Sequence, residues 1–184
     1  MECHQRRSSD MIKSEMRSIN LDQPPQHNSG VTKQNDITLE VARPTQLGIL
    51  MPLVTAYHLF EKISLSADIR EKSVEKLLSN GTLGEIWLIK KFDKLIGYAV
   101  ICFSFSIELG GRAAFIDELY IEAPARGKGI GTEILRRLKE HMRSHDVVAI
   151  LLEVDQLNEP AKSLYVQLGF SCRDKYQLMA IALK

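Results

Sequence analysis

Arg126, Gly127, Lys128, Gly129 and Gly131 crowd into the run ARGKGIG, immediately ahead of a stretch with helical periodicity. A turn that feeds a helix N-terminus presents backbone N–H groups without intrahelical partners, and the helix dipole favours an anion against them. Glycine permits the close backbone approach and left-handed dihedrals such a cradle needs, and Arg126 and Lys128 add positive charge beside it. Phosphate binding is the chemistry this spacing suggests; the plainer alternative is a glycine-rich turn with solvated basic residues. Just upstream stand two adjacent carboxylates, Asp117 and Glu118. Either becomes a general base if apolar flanks raise its pKa toward neutrality, or is a solvated strand carboxylate if they do not. Downstream, Tyr165 offers a phenol with an ordinary pKa of about 10, suited to giving up a proton, or else a core tyrosine at helical spacing with Ala161, Leu164 and Leu168.

Two phosphate motifs can be set against ARGKGIG. A Walker A loop fails, because Lys128 is followed by Gly129 instead of Ser or Thr and Glu122 stands where the first glycine belongs. A dinucleotide fingerprint gains Gly127 and Gly129 but meets Thr132 at its third glycine, so a dinucleotide-binding protein stays only as a distant alternative. A formal net charge of +1 gives no broad field to draw in nucleic acid or an anionic membrane, so neither is expected as a partner. Cys3, Cys102 and Cys172 form no pattern suited to zinc, and no metal is expected. With no apolar run near the roughly 20 residues of a membrane span and no signal-peptide core, the expectation is a cytoplasmic protein. An organellar transit peptide is the alternative that Arg6, Arg7 and Arg17 favour and Glu2, Asp10, Glu15 and Asp22 oppose.

The elements that must position these groups can be read from the pattern. Residues 1–35 carry DQPPQHNSG and few aromatic or β-branched residues, as expected of a disordered tail; residues 36–184 read as one domain. DITLEVAR alternates as a strand, a helical region from Gln46 to Ile63 is broken or kinked at Pro52, and SADIREKSVEKLLSNG supplies a second helix. GEIWLIKKF, LIGYAVICFSFSI and RAAFIDELYIEA read as an antiparallel meander, with a turn at Asp93-Lys94. Because strand side chains alternate, Asp117 and Glu118 should face opposite sides of the sheet, leaving one of them for a cleft. The next helix places Ile130, Ile134, Leu135, Leu138 and Met142 on its apolar face. DVVAILLEV reads as a strand buried on both faces, Asn158 as the cap of the last helix, Gly169 as its end, and FSC and YQLMAIAL as two final strands.

With ARGKGIG and NEPAKSLYVQLGF both in place, residues 36–184 resemble the GNAT superfamily, the acyl-CoA-dependent N-acyltransferases. The resemblance implies an α/β (α+β mixed) fold, a twisted, mixed but mostly antiparallel sheet of about six or seven strands flanked by about four helices. It implies acetyl-CoA as acyl donor, its pyrophosphate on the amides of Gly127, Lys128, Gly129, Ile130, Gly131 and Thr132 with Arg126 at the loop's start. The pantetheine arm would pair with the backbone of Leu119, Tyr120 and Ile121 as an added strand. Asn158 and Ala161 would line the cofactor groove. Glu118 is then the favoured base, because family members often carry an acid there, and Tyr165 matches the tyrosine that protonates the departing thiolate. The oxyanion would fall to a backbone N–H near Leu119 to Ile121, given a bulge in the strand.

The implied activity is N-acetyl transfer to a primary amine by direct attack, the acceptor a polyamine, aminoglycoside or amino acid, or else a protein or peptide amine. Tyr57, His58, Phe60, Glu61 and Asp68 lie in the region that builds the acceptor site, though an amphipathic helix carries such residues in any case, and His58, His141 and His145 read as structural or solvated. A catalytically idle acyl-CoA-binding sensor is the competing function. A homodimer through the edge strands is compatible with the pattern.

Overall fold

The computed structural model describes residues 37–183; the tail expected over residues 1–35 lies outside them. Its strands and α-helices run in the order β1 (Ile37–Val41), α1 (Leu47–Phe60), α2 (Ala67–Ser79), β2 (Gly84–Lys91), β3 (Lys94–Ser106), β4 (Gly111–Ile121), α3 (Ile130–Ser144), β5 (Val147–Leu152) and α4 (Glu159–Gln167). Strands β2 to β4 form the expected antiparallel meander, β1 pairs antiparallel with the outer side of β2, and β5 returns parallel to β4 at the far edge. A helix between β4 and β5 makes the parallel crossover, as such a connection requires. This is a mixed sheet in sequential order, unlike the doubly wound parallel sheet a dinucleotide fingerprint needs.

Alternation on the strands sorts side chains into two cores. Ile86, Leu88, Tyr98 and Val100 meet Leu50, Leu53 and Val54 of α1 and Val74 of α2. Trp87, Ile89, Ala99 and Ile101 meet Ile130, Ile134, Leu135, Leu138 and Met142, the five residues the periodicity of α3 picked out.

Four expectations change. Helix α1 runs through Pro52 and ends at Phe60, short of Ile63; Pro52 loses one helical hydrogen bond, but its neighbours Leu50, Leu53 and Val54 are buried against the sheet and hold the turn. The β2–β3 turn centres on Phe92 and Asp93, both with left-handed φ (47° and 62°), as a two-residue hairpin demands. Strand β5 is an edge strand with Val148 exposed, because nothing among the described residues pairs with its outer side. The sheet therefore has five strands, since FSC and YQLMAIAL form none among the described residues. A turn closed by the Tyr176 N–H donating to the Arg173 carbonyl (2.9 Å) diverts the chain there, and Leu178, Met179 and Ile181 stay exposed.

Candidate active site

The site begins with one extra residue in β4. Pairing with β3 runs Ile101↔Ile116 and then Val100↔Glu118, so Asp117 has no partner and forms a β-bulge. Without it, Glu118 would share the face of Ala114 and Ile116, in the α3 core. The bulge turns Glu118 over to the α1–α2 face, and Leu119 and Ile121 to the α3 face. Asp117 and Glu118 both line one cavity of about 210 Å³, with Val54 and His58 of α1, Arg70, Ser73, Val74 and Leu77 of α2, and Ile86 and Val100 of the sheet. The alternation rule that puts neighbouring carboxylates on opposite faces is defeated here by the bulge.

Glu118 is held from two sides. His58 Nε2 lies 2.8 Å from its Oε1, and the Tyr98 hydroxyl donates to its Oε2 at 2.5 Å. Arg70 Nε donates to His58 Nδ1 (3.1 Å), which makes that nitrogen the acceptor and leaves the ring proton on Nε2, aimed at Glu118. His58 is 6% exposed, the one buried polar or charged residue among the described residues. The Tyr98 phenol is pushed far up by burial and by the Glu118 charge, so it stays a donor. Tyr57 packs edge-on against Tyr98 (6.3 Å between ring centres) and near Tyr120 (6.0 Å); burial and the carboxylates of Glu61, Glu118 and Asp117 push its phenol up to about 12. Asp117, open to solvent on one side, has its carboxyl raised by partial burial and by the charges of Glu118 and Glu153.

Beyond the bulge, β4 loses its other neighbour. Pairing with β5 ends at Ile116↔Leu152, so Leu119, Tyr120 and Ile121 have no strand beside them on that side. The Ile121 carbonyl accepts from Arg126 Nε (2.7 Å), and the guanidinium lies over Phe60 (5.1 Å) and Tyr120 (5.6 Å).

The glycine turn comes next in the chain. Gly127 and Gly129 take left-handed φ (71° and 73°), with open space where a Cβ would project. Gly129 is the N-cap of α3, and Glu133 N–H is the donor its carbonyl accepts (3.2 Å), leaving the amides of Ile130, Gly131 and Thr132 in the unpaired first turn. Lys128 Nζ donates to the Pro124 carbonyl (2.7 Å). Thr132 is exposed, whereas the Ile130 side chain is core, so only its backbone faces the turn. Gly131 brings α4 close: a Cβ there would sit 3.4 Å from Leu164 and 3.9 Å from Ile121.

On α4, Asn158 caps the helix by accepting from the Ala161 N–H (3.2 Å), which accounts for both residues locally. Tyr165 packs against Phe170 (5.7 Å), and burial raises its phenol. The structure puts Glu118 in the cavity on the α1–α2 face of the sheet, whereas Leu119, Ile121 and Tyr165 pack beside the α3 core, whose helix starts at the glycine turn. Sequence reasoning set aside His58 and did not weigh Arg70 or Tyr98. His58 meets Glu118 across 60 residues, a pairing for which the sequence carries no local signal. No helix among the described residues is long and apolar enough to cross a membrane, and among them no group of side chains suits a metal.

Residues 53–170 match the acetyltransferase (GNAT) family. The chain is 26% identical to mouse thialysine N-epsilon-acetyltransferase over 137 residues, which is 70% of this chain and 80% of the mouse protein. Among solved structures, an integron cassette protein from the mobile metagenome of Cole Harbour Salt Marsh is 28% identical, with a TM-score of 0.70 over 79% of this chain and 90% of that one. A predicted acetyltransferase from Clostridium acetobutylicum, solved with acetyl-CoA, shares the fold at 23% identity and a TM-score of 0.64, covering 78% of this chain and 96% of that one.

Proposed function

The chain belongs to the acetyltransferase (GNAT) family of acetyl-CoA-dependent N-acyltransferases, and from that premise we propose that it transfers an acetyl group to a small primary amine, with Glu118 as general base and Tyr165 as general acid. The observation that carries this reading is the bulge at Asp117, which turns Glu118 into the cavity at the point where β4 is released from β5.

The residues present fit acetyl-CoA. Left-handed Gly127 and Gly129 leave their outer side open, and the first-turn amides of α3 lack backbone partners, which suits a pyrophosphate. Arg126 and Lys128 flank the turn with positive charge. The free edge at Leu119, Tyr120 and Ile121 suits the amide-bearing pantetheine arm as an added strand. Asn158 and Ala161, at the start of α4, are assigned to the same groove by the family resemblance. Bound acetyl-CoA supplies the activated thioester carbonyl.

The chain's own groups do the rest. An incoming amine arrives as an ammonium and must lose a proton before it attacks. Glu118 has two of its four or so lone-pair positions filled by His58 and Tyr98, which fix its orientation and leave capacity for that proton. Free N–H groups of β4 beyond the bulge are the donors for the oxyanion. Tyr165 Oη gives its proton to the departing sulfur; its raised pKa keeps that proton in place until a strong base appears. A cavity of about 210 Å³ between α1 and α2 supports a small acceptor, in keeping with the small-molecule amine named for the mouse relative.

Titration calorimetry with acetyl-CoA tests the cradle. Wild type is expected to bind at one site, and Gly129→Glu, folded by its thermal melt, to bind at least ~100-fold more weakly, a loss of about 2.7 kcal/mol. Equal binding by both proteins overturns the assignment.

A further inference from the structure

We infer that the acceptor carries a carboxylate beside its primary amine, and that Arg70 reads it: the substrate is a free amino acid with a small apolar side chain. This rests on the acetyl-transfer reading of the same cavity and names the acceptor that reading leaves open.

Arg70 lines the cavity together with Glu118. Its contacts are all to neutral acceptors: Nε to His58 Nδ1 (3.1 Å), Nη1 to Thr55 Oγ1 (3.4 Å) and Nη2 to the Leu65 carbonyl (3.0 Å). Of the five N–H groups of a guanidinium, two remain. Among the described residues no carboxylate lies within 4.0 Å of Arg70, although Asp117 and Glu118 line the same cavity. The reason is His58, whose ring stands between Arg70 and Glu118 and bonds to both. Opposite charges therefore face one partly buried cavity without neutralising each other, an arrangement that costs solvation unless a ligand completes it.

A zwitterion completes both ends at once. Its ammonium meets Glu118 and Asp117, and its carboxylate meets the guanidinium, which is suited to planar two-oxygen recognition. The imidazole sets the spacing: the two charged groups are separated by one ring and its two hydrogen bonds, and an α-amino acid bridges such a gap when its ammonium and carboxylate each add a hydrogen bond of their own. Val54, Leu65, Val74, Leu77, Ile86 and Val100 make the rest of the lining apolar apart from Ser73, and the volume of about 210 Å³ admits a small side chain. A polyamine would instead set a second cation against Arg70.

The test is a thiol-release assay with acetyl-CoA and matched acceptors: L-valine, L-leucine and L-methionine, their amides, and spermidine. Each amide keeps the amine and the side chain and loses only the charge. Wild type is expected to prefer at least one amino acid over its amide by about 100-fold in kcat/KM, since a site built to bind a charged group rejects an analogue lacking it. Arg70→Gln retains an N–H donor for His58 but no charge; it is expected to raise KM for the amino acid and shrink the preference over the amide to within about threefold. Equal use of acid and amide by wild type, a preference for spermidine, or an Arg70→Gln enzyme that loses activity on both while keeping the ratio overturns the inference, the last because it assigns Arg70 to positioning His58 alone. Calorimetry with the same amino acids separates the two readings. Spermidine turnover without amino-acid turnover leaves acetyl transfer standing and removes the carboxylate. Arg70-dependent binding of an amino acid without thiol release supports the carboxylate and removes acetyl transfer, and neither turnover nor binding overturns both.

Discussion

Asp117 and Glu118 are chemically similar neighbours, and their surroundings separate them. Glu118 is gripped by His58 and Tyr98, whereas Asp117 has no hydrogen-bond donor among the described residues and stands against the Glu118 charge. The carboxyl of Asp117 is raised above its ordinary 3.8, so the folded chain holds that proton more tightly than the unfolded chain does. Its ionised form therefore costs stability above the folded pKa, and the cost fades as pH falls through that pKa toward 3.8. Asp117→Asn is expected to melt higher than wild type at neutral pH, by less than about 1 kcal/mol because the side chain is partly exposed, with the two melts converging in acid. A variant that melts lower at neutral pH contradicts this electrostatic picture. Glu118 stands out in the sequence by its place on the strand that leads into the glycine turn and by the family resemblance. Its grip does not, because His58 and Arg70 reach it through tertiary folding, and the bulge that turns it over leaves no mark on the alternation of FIDELYIE.

At the scale of elements, the glycine turn was the most legible feature, since only a few sequences satisfy left-handed φ and an open face together. Gly129→Ala keeps the face nearly open but forces φ 73° on an L-residue; it is expected to cost about 1–2 kcal/mol of stability in a thermal or denaturant melt. The cap of α4 makes a second check: Asn158→Ala removes the acceptor of the Ala161 N–H and should cost about 0.5–2 kcal/mol. The strands after α4 were misread because apolar content in YQLMAIAL marks a segment able to pair, while pairing itself needs an available edge and a chain path that reaches it. The same limit applies to β5. Its run of valines, leucines and isoleucine looks like a central strand, yet its place at the edge depends on whether a later segment of the chain folds back beside it.

At the scale of the molecule, the sheet separates two tasks: its α3 face carries the larger core, and its α1–α2 face carries the cavity. Leu138, 1% exposed in the α3 core, tests that separation. Leu138→Ala is expected to cost about 2–5 kcal/mol in a denaturant melt while KM for the amine, measured well below the melting temperature, stays near wild type. The antiparallel meander and the apolar face of α3 could be read from periodicity. The joining of Glu118 to the α1–α2 cavity could not, since it depends on one unpaired residue, Asp117. That joining places the proton acceptor at the amine, and its signature is the single-turnover rate of acetyl transfer by Glu118→Gln at saturating acetyl-CoA. The rate is expected to fall about 10²–10⁴-fold with acetyl-CoA affinity unchanged; a rate within about threefold of wild type overturns the assignment of the proton to Glu118.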